Sequence, residues 1–487
     1  MKNVYQNTSL LDKRACEKFS LTPELLMENA ASALESLIAK ITHKGSVITI
    51  LCGGGDNGGD GYALARRLSG EYAVRIYQVK EPKSPLCVKN YERAKSCEVK
   101  FIKKILPCDV VVDCVVGSGL KGELTREIVE TLHIAQKNAR LCVACDVPSG
   151  LSESSTPASH NIAFKAHHTL CMGAINLACL SDKAKDFVGQ IHIGNLGISQ
   201  NLYQISSNIK MLESSDLKLP HRKIQNTHKG DFGHLGVFMG EKMGACILSA
   251  QAALHFGVGL VSVIAKQNPH TDSRPFASLP FTLMQSPDVP QNATALALGM
   301  GLGVENSKLV LESLVDSASN AFTLPCVLDA DVFHTPKIKD FLDTTLNQQS
   351  LDFSREIVLT PHPKEFNALL QHCGLGEYNP NKRIQSMLDF TQKYPHTTLL
   401  LKGANVFIAK GQEIYINPLG SNALAKGGSG DVLSGLIAAL LAQGYNGLDS
   451  ALQGTLAHSI ATQKCLKHIA DFGLTPNHLL QAISTLR

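Results

Sequence analysis

A glycine-rich loop followed at once by an acid and an apolar helical pattern lies at residues 422–440, NALAKGGSGDVLSGLIAAL. The run from Gly427 to Gly430 leaves backbone N–H groups accessible, and the N-terminus of the following helix favours an anion there. Phosphate would normally repel a carboxylate at this position. One reason to place a carboxylate there is that it takes a proton from a hydroxyl that attacks phosphorus. Asp431 is therefore a candidate general base for phosphoryl transfer. The alternative is that Asp431 only caps the helix.

Three further loops, in the first half of the chain, combine glycine or proline with acidic or amide side chains. The strand-like stretches SVITILC, VVVDCVV and RLCVACDV lead into GGGDNGGDG, GSGLKGEL and PSGL. Ligands of open parallel sheets bind at the carboxyl ends of strands, so these loops are expected to converge on one crevice. The alternative is that glycine and proline merely end the strands. The acidic and amide residues concerned are Asp56, Asn57, Asp60, Asp113 and Asp146.

The segments between these loops alternate between strand and helix patterns. SVITILC, the helical pattern YALARRL and the strand YAVRIYQV form the opening unit of a doubly wound α/β domain. The loop between the first two is not a P-loop, because no Lys-Ser/Thr follows, and its spacing is not G-x-G-x-x-G. Alternation restarts in the second half with the strands HLGVFMG, TALALGMGLG, PCVLDAD and EIVLTPHP. TTLLLKGANVFIAKGQEIYIN then predicts a strand and a hairpin.

Length and composition place limits on the function. A chain of 487 residues is expected to form two or three domains. The pattern loosens between Ile193 and Leu219, which predicts domains at 1–209 and 210–487. Net charge is only +4 and no block of like charges occurs, so neither nucleic acid nor an anionic membrane surface is expected as a partner. Without a signal-peptide core or a membrane-length apolar run, the sequence predicts a cytoplasmic protein.

The 14 cysteines mostly lie inside apolar, strand-like runs. In a chain of this length they are expected to be buried small hydrophobes rather than a disulfide framework. Cys142 and Cys145 form a C-x-x-C, but an extended segment points them to opposite faces and no second pair completes a zinc site. Histidine offers no H-E-x-x-H signature.

CGGGDNGGDGYALAR, VDCVVGSGLKG and CDVPSG together resemble the NAD(P)H-hydrate epimerase domain, which has a Rossmann-like three-layer αβα fold. The resemblance implies that Asn57, Asp113 and Ser149 hold K⁺ and that Asp113 is the acid/base, with Lys80 as a helper. Gly54 and Asp56 replace the usual proline and asparagine, and the added charge is expected to weaken binding of a phosphate-bearing ligand. The residues implied to contact the hydrated nicotinamide nucleotide are Asp56, Asn57, Gly58, Gly59, Asp60, Gly117, Ser118, Gly119, Leu120, Lys121, Gly122, Glu123 and Asp146.

HKGDFGHLGVFMG, LGMGLG, LDAD, TPHPKEF, KGANVF and GGSGDVLSG resemble the ribokinase-like α/β fold, in its ADP-dependent NAD(P)H-hydrate dehydratase branch. The resemblance implies Mg²⁺ with ADP as the cofactor. It also implies two sets of site residues, with Ala245, Gly301, His362 and Asp431 facing the hydrated nicotinamide and Lys402, Gly403, Ala404, Asn405, Val406 and Gly430 binding the nucleotide. Lys426 replaces the family threonine and Met300 a frequent proline, so nucleotide preference is expected to differ.

The order of the two resemblances is similar to that of the bifunctional NAD(P)H-hydrate repair family. It implies epimerisation of R- and S-NADHX or NADPHX, and ADP-dependent dehydration of the S epimer to NADH or NADPH with AMP and phosphate. The expected partners are these small molecules and, in a homo-oligomer, further copies of the chain. Two other functions remain open: a vitamin-precursor kinase fused to a nucleotide-binding domain, and a dinucleotide-binding protein without turnover.

Overall fold

The computed structural model describes residues 1–120, 122–151, 163–265, 279–315, 321, 323–347 and 355–487. Lys121, one of the residues implied to contact substrate, lies outside the described residues. The chain divides into an N-terminal unit, Lys2–Ile209, and a C-terminal unit, Lys210–Arg487 together with Met1. No helix among the described residues is long and apolar enough to cross a membrane.

The N-terminal unit alternates strands and helices. Its strands are β1 Lys2–Tyr5, β2 Val47–Cys52, β3 Ala73–Gln78, β4 Lys100–Phe101, β5 Cys108–Cys114, β6 Ala139–Cys145, β7 His168–Met172, β8 Ile175–Asn176 and β9 Gln190–Gly194. Its α-helices are α1 Ser9–Phe19, α2 Pro23–Ile41, α3 Asp56–Leu68, α4 Pro85–Ser96, α5 Arg126–Lys137 and α6 Gln200–Tyr203, with 3₁₀ turns at Leu177–Leu180 and Lys183–Asp186. Helix α2 begins with a capping threonine and a proline, the sequence pattern typical of a helix start: Thr22 Oγ1 accepts a hydrogen bond from Leu25 N at 3.3 Å, and Pro23 is the first helical residue.

A parallel sheet in the order β4-β3-β2-β5-β6-β7-β9 forms the centre of this unit. Helices α2, α3 and α4 share an apolar core with one face, and α5 packs on the other face. The predicted three-layer α/β class is therefore confirmed. The chain proceeds outward from β2 in one direction and from β5 in the other, so the switch point lies between these two strands. Ligand crevices of such sheets open there.

Helix α3 begins earlier than the sequence pattern indicates. The pattern placed the helix at YALARRL, whereas α3 starts at Asp56 and takes in three glycines of the loop. The reason is close packing. A Cβ at Gly58 would lie 2.0 Å from the carbonyl oxygen of Gly53, and one at Gly61 would lie 2.9 Å from Cys52 Sγ. Only glycine brings the first turn of the helix so near the strand it follows.

The C-terminal unit repeats the alternation. Its strands are β10 Ile209–Met211, at the division between the units, then β11 His234–Phe238, β12 Leu260–Ile264, β13 Met284–Ser286, β14 Ala295–Leu298, β15 Cys326–Leu328, β16 Ile357–Leu359, β17 Thr397–Leu401, β18 Val406–Lys410 and β19 Glu413–Asn417. Its α-helices are α7 Met243–His255, α8 Val304–Ser313, α9 Lys337–Asn347, α10 Pro363–His372, α11 Arg383–Lys393, α12 Ser429–Ala442, α13 Gly447–Cys465 and α14 Pro476–Ile483. Its 3₁₀ turns are Ser214–Asp216, Lys229–Phe232, Ala330–His334, Pro380–Lys382, Asn422–Leu424 and Asp471–Gly473.

Strands β13-β12-β11-β14-β15-β16-β17-β18-β19 lie in that order. The pairs from β13 to β17 are parallel, and β18 and β19 extend the sheet as the predicted antiparallel hairpin. The α/β class predicted for this half is confirmed as well. Because the chain moves outward from β11 on one side and from β14 on the other, the carboxyl ends of β14, β15, β16 and β17 follow one another along one edge.

Helix α12 lies in the apolar core of this unit and packs against α7 and α13. It is apolar on every side, and every residue from Val432 to Ala442 is buried. The helix starts at Ser429 after Gly428, whose φ of 91° suits glycine. Asp431 is therefore the third helical residue. The alternative that it caps the helix is wrong, since no side chain caps this terminus.

All 14 cysteines of the chain are free thiols, and all except Cys16 and Cys97 are buried. The prediction that they serve as small core residues is therefore confirmed. Burial raises the pKa of Cys142 to about 12, so that thiol stays protonated and unreactive at neutral pH.

Candidate active sites

In the N-terminal unit, the loops after β2 and β5 touch at the switch point of the sheet. A Cβ at Gly53 would lie 2.0 Å from the carbonyl oxygen of Val115, so the two backbones meet with no room for a side chain. Gly53 N also donates to the carbonyl of Cys114 at 3.0 Å. Both loops therefore border the same crevice.

Asp113, at the end of β5, is fully buried and bound to the loop after β6. Its Oδ1 accepts from Ser149 Oγ at 2.7 Å and from Val115 N at 3.1 Å, and its Oδ2 accepts from Ser149 N at 2.8 Å. Burial raises the pKa of Asp113 to about 6, although these three hydrogen bonds oppose the rise. Ser149 Oγ in turn accepts from Val116 N at 2.9 Å. The carboxylate thus joins two of the three loops.

Asp146 lies on the loop after β6 and brings the loops after β5 and β2 next to it. Its φ of 65° is left-handed, a conformation that Asp tolerates better than most residues and that is found at constrained turns. Its Oδ2 accepts from Ser118 N at 3.0 Å. A Cβ at Gly117 would lie 3.0 Å from that same oxygen and 3.3 Å from Asn57 Oδ1. Asp146, Asn57 and Gly117 therefore meet, as the sequence predicts for a shared crevice.

The residues implied to hold K⁺ fit a hard cation. Asn57, Asp113 and Ser149 present amide, carboxylate and hydroxyl or carbonyl oxygen atoms, the ligand type that such cations accept. The Nδ2 atom of Asn57 is buried and has no hydrogen-bond partner. Rotation of the amide by half a turn would place its oxygen there instead, which would leave an acceptor without a donor. A cation satisfies such an acceptor.

Other residues expected in this crevice differ in exposure. Gly58, Gly59 and Gly117 are buried, whereas Asp56, Gly119 and Lys80 are exposed. Ser118, Gly122 and Glu123 are exposed too, and Leu120 is half-buried. The Cβ of Lys80 lies 3.7 Å from the position of a Cβ on Gly54, which puts this lysine beside the loop after β2.

Asp12 and Tyr203, which no sequence motif marks, also influence the charges in this crevice. Asp12 Oδ1 accepts a hydrogen bond from the hydroxyl of Tyr203 at 2.7 Å. Burial raises the pKa of Asp12, and Asp146 raises it further, while the bond from Tyr203 opposes the rise. Burial also raises the pKa of Asp60 well above its usual range, with added repulsion from Asp146, Asp56 and Asp12. The crevice therefore gathers carboxyl groups in which burial and mutual repulsion both favour the protonated forms of Asp12 and Asp60.

In the C-terminal unit, three of the predicted site residues and Asp329 follow neighbouring strands. Gly301 comes after β14, Asp329 after β15, His362 after β16 and Lys402 after β17. Backbone bonds fix these ends together, from Asp331 N to Gly299 O at 3.2 Å and from Lys402 N to Pro361 O at 2.9 Å. Parallel strand order alone thus collects residues that are far apart in sequence.

Lys402 forms an ion pair with Asp329, with 2.5 Å between Nζ and Oδ1. Asp329 Oδ2 accepts from Ser434 Oγ at 2.6 Å, and that hydroxyl lies 3.1 Å from the carbonyl of Gly430. A Cβ on Gly430 would lie 3.5 Å from Lys402 Nζ. The ammonium group of Lys402 therefore sits at the N-terminus of α12, where the helix dipole and the first N–H groups favour an anion.

Asp431 lies beside these groups and is partly buried. Its pKa is raised to about 6, mainly by burial and also by the charges of Asp329 and Asp331, while Lys402 opposes the rise. At neutral pH the carboxylate is mostly ionised, yet its pKa lies close enough to 7 for it to accept a proton during turnover. This is the protonation behaviour expected of a general base.

His362 caps α10 rather than standing free between its two prolines. Its Nδ1 accepts from Glu365 N at 3.1 Å, and Glu365 Oε2 accepts from His362 N at 2.8 Å. The opposite ring nitrogen, Nε2, lies 3.1 Å from Glu365 Oε1, and 47% of the His362 side chain remains exposed. Glu365 thus holds the ring in one orientation at the mouth of the site. The sequence signal for this capping box is H-P-K-E, with histidine at the capping position and glutamate three residues later.

The remaining predicted residues border the same region. Gly301 has a φ of 65°, and a Cβ on it would lie 3.1 Å from the Cβ of Ala245, so the two touch. Asn405 is buried, whereas Gly403 and Ala404 are exposed and Val406 is half-buried. The loop after β17 therefore exposes two small residues to solvent.

Known proteins resemble both halves of the chain. Residues 23–178 match the family described as YjeF-related protein N-terminus, and residues 235–485 match the family described as NAD(P)H-hydrate dehydratase. A bifunctional NAD(P)H-hydrate repair enzyme from Helicobacter pylori is 43% identical over 100% of both chains. The chain belongs to this repair-enzyme family. The enzyme of that name from Coxiella burnetii is 29% identical over 100% of this chain and 99% of its own. A solved ADP/ATP-dependent NAD(P)H-hydrate dehydratase from Bacillus subtilis, co-crystallised with ATP and Mg²⁺, aligns with 57% of this chain and 97% of its own at 21% identity and a TM-score of 0.44.

Two residues of this chain, Lys426 and Met300, differ from those usual in the NAD(P)H-hydrate repair family. Lys426, where the family carries threonine, directs its ammonium group to the carbonyl of Phe472 at 2.7 Å. Its charge is thereby held by the 3₁₀ turn Asp471–Gly473, which precedes α14. Met300, where proline is frequent, is fully buried. The effect of these two departures on nucleotide preference stays a prediction.

Proposed function

We propose that this chain repairs hydrated NADH and NADPH in two steps that use separate sites. The N-terminal site, in the domain 1–209, interconverts the R and S epimers. The C-terminal site, in the domain 210–487, uses ADP to dehydrate the S epimer to NADH or NADPH. The single observation that carries the proposal is Asp431, a carboxylate with a pKa of about 6 beside an anion-binding helix terminus and Lys402.

The chemistry at the C-terminal site follows from that arrangement. Hydroxide is a poor leaving group, so the C6 hydroxyl of the hydrated ring must first be converted into a better one. Its oxygen attacks the terminal phosphorus of ADP while Asp431 takes the proton, and AMP departs. The C6–O bond then breaks, phosphate leaves with the electron pair, and loss of the C5 proton restores the double bond. Lys402 and the first N–H groups of α12 stabilise the charge on the transferring phosphoryl group.

The Mg²⁺ ion proposed for this step suits the site. Mg²⁺ retains several waters and is commonly held by phosphate oxygens with only one or two carboxylates, so a dedicated protein cage is not required. Among the described residues there is no group of three or more His, Cys, Asp or Glu side chains that could hold a metal ion. The nucleotide would therefore bring the ion with it, and its phosphate oxygens together with water would supply most of the ligands.

At the N-terminal site we propose that Asn57, Asp113 and Ser149 hold K⁺. Bound there, the cation would supply positive charge next to the carboxylates of the crevice and fix the three loops. Asp146 and Asn57 meet at Gly117, and this edge of the crevice is proposed to receive the hydrated ring. Asp113 is the proposed acid/base. Both of its oxygens accept hydrogen bonds from Ser149, so one of these bonds would have to be released when Asp113 takes up a proton.

The assay that tests the proposal supplies a mixture of both NADH-hydrate epimers with ADP and Mg²⁺. The expected result is restored dihydropyridine absorbance together with one AMP and one phosphate per NADH formed. A vitamin-precursor kinase would instead yield a stable phosphorylated product and leave the absorbance unchanged. A dinucleotide-binding protein would bind the mixture without consuming ADP. Omission of ADP is the control, because epimerisation alone restores no absorbance.

A further inference from the structure

Asp329 is a buried carboxylate at the C-terminal site to which the proposed reaction gives no role. It follows β15 and is only 2% exposed. Its Oδ1 accepts from Lys402 Nζ at 2.5 Å and from its neighbour Ala330 N at 2.9 Å, and its Oδ2 accepts from Ser434 Oγ at 2.6 Å. Both oxygens are thus engaged by protein donors. Asp329 is therefore placed to act through its partners rather than on a ligand.

The partners of Asp329 lie on the two elements that form the anion-binding site. Lys402 starts the loop after β17, and Ser434 lies on α12 one turn beyond Gly430. The Ser434 hydroxyl reaches the Gly430 carbonyl at 3.1 Å, and Lys402 Nζ lies 3.5 Å from the position of a Cβ on Gly430. The Asp329 carboxylate therefore links the Lys402 ammonium group to the first turn of α12. Lys402 lies 73 residues from Asp329 in the sequence, and Ser434 lies 105 residues from it.

We propose that Asp329 is a positioning residue for the dehydration. It holds Lys402 against the N-terminus of α12, so that the ammonium group meets the terminal phosphate of a nucleoside diphosphate. Its negative charge also acts on Asp431. The inference rests on the proposed function of this site. It assigns to the first acid of the LDAD motif a task distinct from that of Asp431.

The charge of Asp329 acts on Asp431 in a known direction. The groups that interact with Asp431 are Asp329 and Asp331, which raise its pKa, Lys402, which lowers it, and the Cys246 thiol of α7. His458 of α13 adds no charge, because burial first and Lys402 second lower its pKa to about 4. Removal of the Asp329 charge therefore lowers the pKa of Asp431. Removal of the Lys402 charge raises it.

The test measures the pH dependence of kcat/KM for dehydration, and the affinity for ADP by calorimetry, in the full-length protein. Asp329→Asn is expected to move the acid limb of the profile to lower pH, because Asp431 then ionises more readily. It is also expected to reduce kcat/KM about 10²-fold, the cost of misplacing a positioned group by ~1 Å, and to weaken ADP binding. Lys402→Gln should move the acid limb in the opposite direction.

Ser434→Ala is the matched control. It removes the hydrogen bond to Asp329 but leaves the charge and the ion pair with Lys402 in place, so the acid limb should stay where it is. Opposite shifts for Asp329→Asn and Lys402→Gln are not produced by a merely structural carboxylate. If Asp329→Asn fails to fold, Asp329→Glu carries the test: it keeps the charge but lengthens the side chain by one methylene, so ADP binding should weaken while the acid limb stays where it is. An unmoved acid limb in the folded variants, with unchanged ADP affinity, would overturn the inference.

Failure of the inference is distinguishable from failure of the proposed function. If the wild-type protein does not restore absorbance from hydrated NADH and ADP, the proposed function is wrong. In that case ADP affinity still decides the positioning role, since the proposal requires weaker binding in Asp329→Asn whatever the second substrate is.

Discussion

Ser149 donates to both oxygens of Asp113, through its hydroxyl at 2.7 Å and its backbone N–H at 2.8 Å. The two residues follow neighbouring parallel strands, so this pair fixes the relative position of two loops at the switch point of the N-terminal sheet. A buried carboxylate that is bound on both sides is costly unless positive charge or strong donors compensate it. Here Ser149 and Val115 N supply the donors, so Asp113 holds the two loops in place at the crevice.

The first prediction concerns K⁺. Replacing K⁺ by tetramethylammonium should abolish epimerisation and lower the melting temperature of the N-terminal unit, because a bulky cation cannot approach the oxygens of Asn57, Asp113 and Ser149. Asp113→Asn should remove the K⁺-dependent part of the stability, which differential scanning fluorimetry measures. Sodium titrations at constant ionic strength serve as the control for screening. Equal melting temperatures in the two salts would contradict the cation site.

The second prediction concerns the general base. Asp431→Asn should lower the rate of dehydration ~10²- to 10⁴-fold, the usual contribution of a general base, while epimerisation stays intact. Near-normal dehydration of the S epimer by this variant would exclude Asp431 as the base.

The third prediction is the pH profile of the wild-type dehydration. The pKa of Asp431 is raised to about 6, and a base acts only when it is deprotonated. The rate should therefore be constant above about pH 7 and fall as the pH decreases through about 6. Measurement of kcat/KM from pH ~5 to ~8 reports the pKa of the free enzyme. A profile that stays flat down to pH ~5 would show that the essential base has a lower pKa than the buried carboxylate.

The fourth prediction concerns the close contact between loops. Gly53→Ala would force a Cβ to within 2.0 Å of the Val115 carbonyl oxygen. We expect a loss of ~1–3 kcal/mol or more in the free energy of unfolding of the N-terminal unit, the cost of overpacking. Gly55→Ala is the matched control, since a Cβ there meets nothing within 4 Å and its φ is −99°. Chemical denaturation measures both; equal losses would refute the contact.

Local features of this chain were predictable from sequence where the signal lies within a few residues. The Thr22–Pro23 start of α2 and the hairpin after Lys402 agree with their patterns, because capping and turn chemistry are local. The helix that begins at Asp56 was placed too late. Three glycines appear as a loop in the sequence, and only the packing against Gly53 and Cys52 makes them helical.

Contacts that depend on strand order were not predictable from the sequence pattern. The bond between Tyr203 and Asp12 spans 191 residues, and nothing near either residue indicates the other. The ion pair between Asp329 and Lys402 spans 73 residues. The motif LDAD marked Asp329 as a strand end, but its partners follow from the adjacency of β15, β16 and β17, which the alternating pattern leaves open.

The last prediction uses two variants of the intact chain to separate the proposed sites. Asp113→Ala should consume the S epimer of a racemic mixture and then stop near half conversion, because no new S epimer is supplied. Asp431→Asn should consume almost nothing, since it retains only the epimerase.

Mixing Asp113→Ala with Asp431→Asn should restore full conversion. The S epimer is a diffusible small molecule, and each variant supplies the step that the other lacks. Spontaneous epimerisation blurs the half-way stop, so the reaction requires excess enzyme and short times. The control is a mixture of Asp113→Ala with the double variant Asp113→Ala/Asp431→Asn, which should remain at half conversion. Complete consumption of both epimers at equal rates by Asp113→Ala alone would contradict the division of labour, since it would place both activities at the site of Asp431.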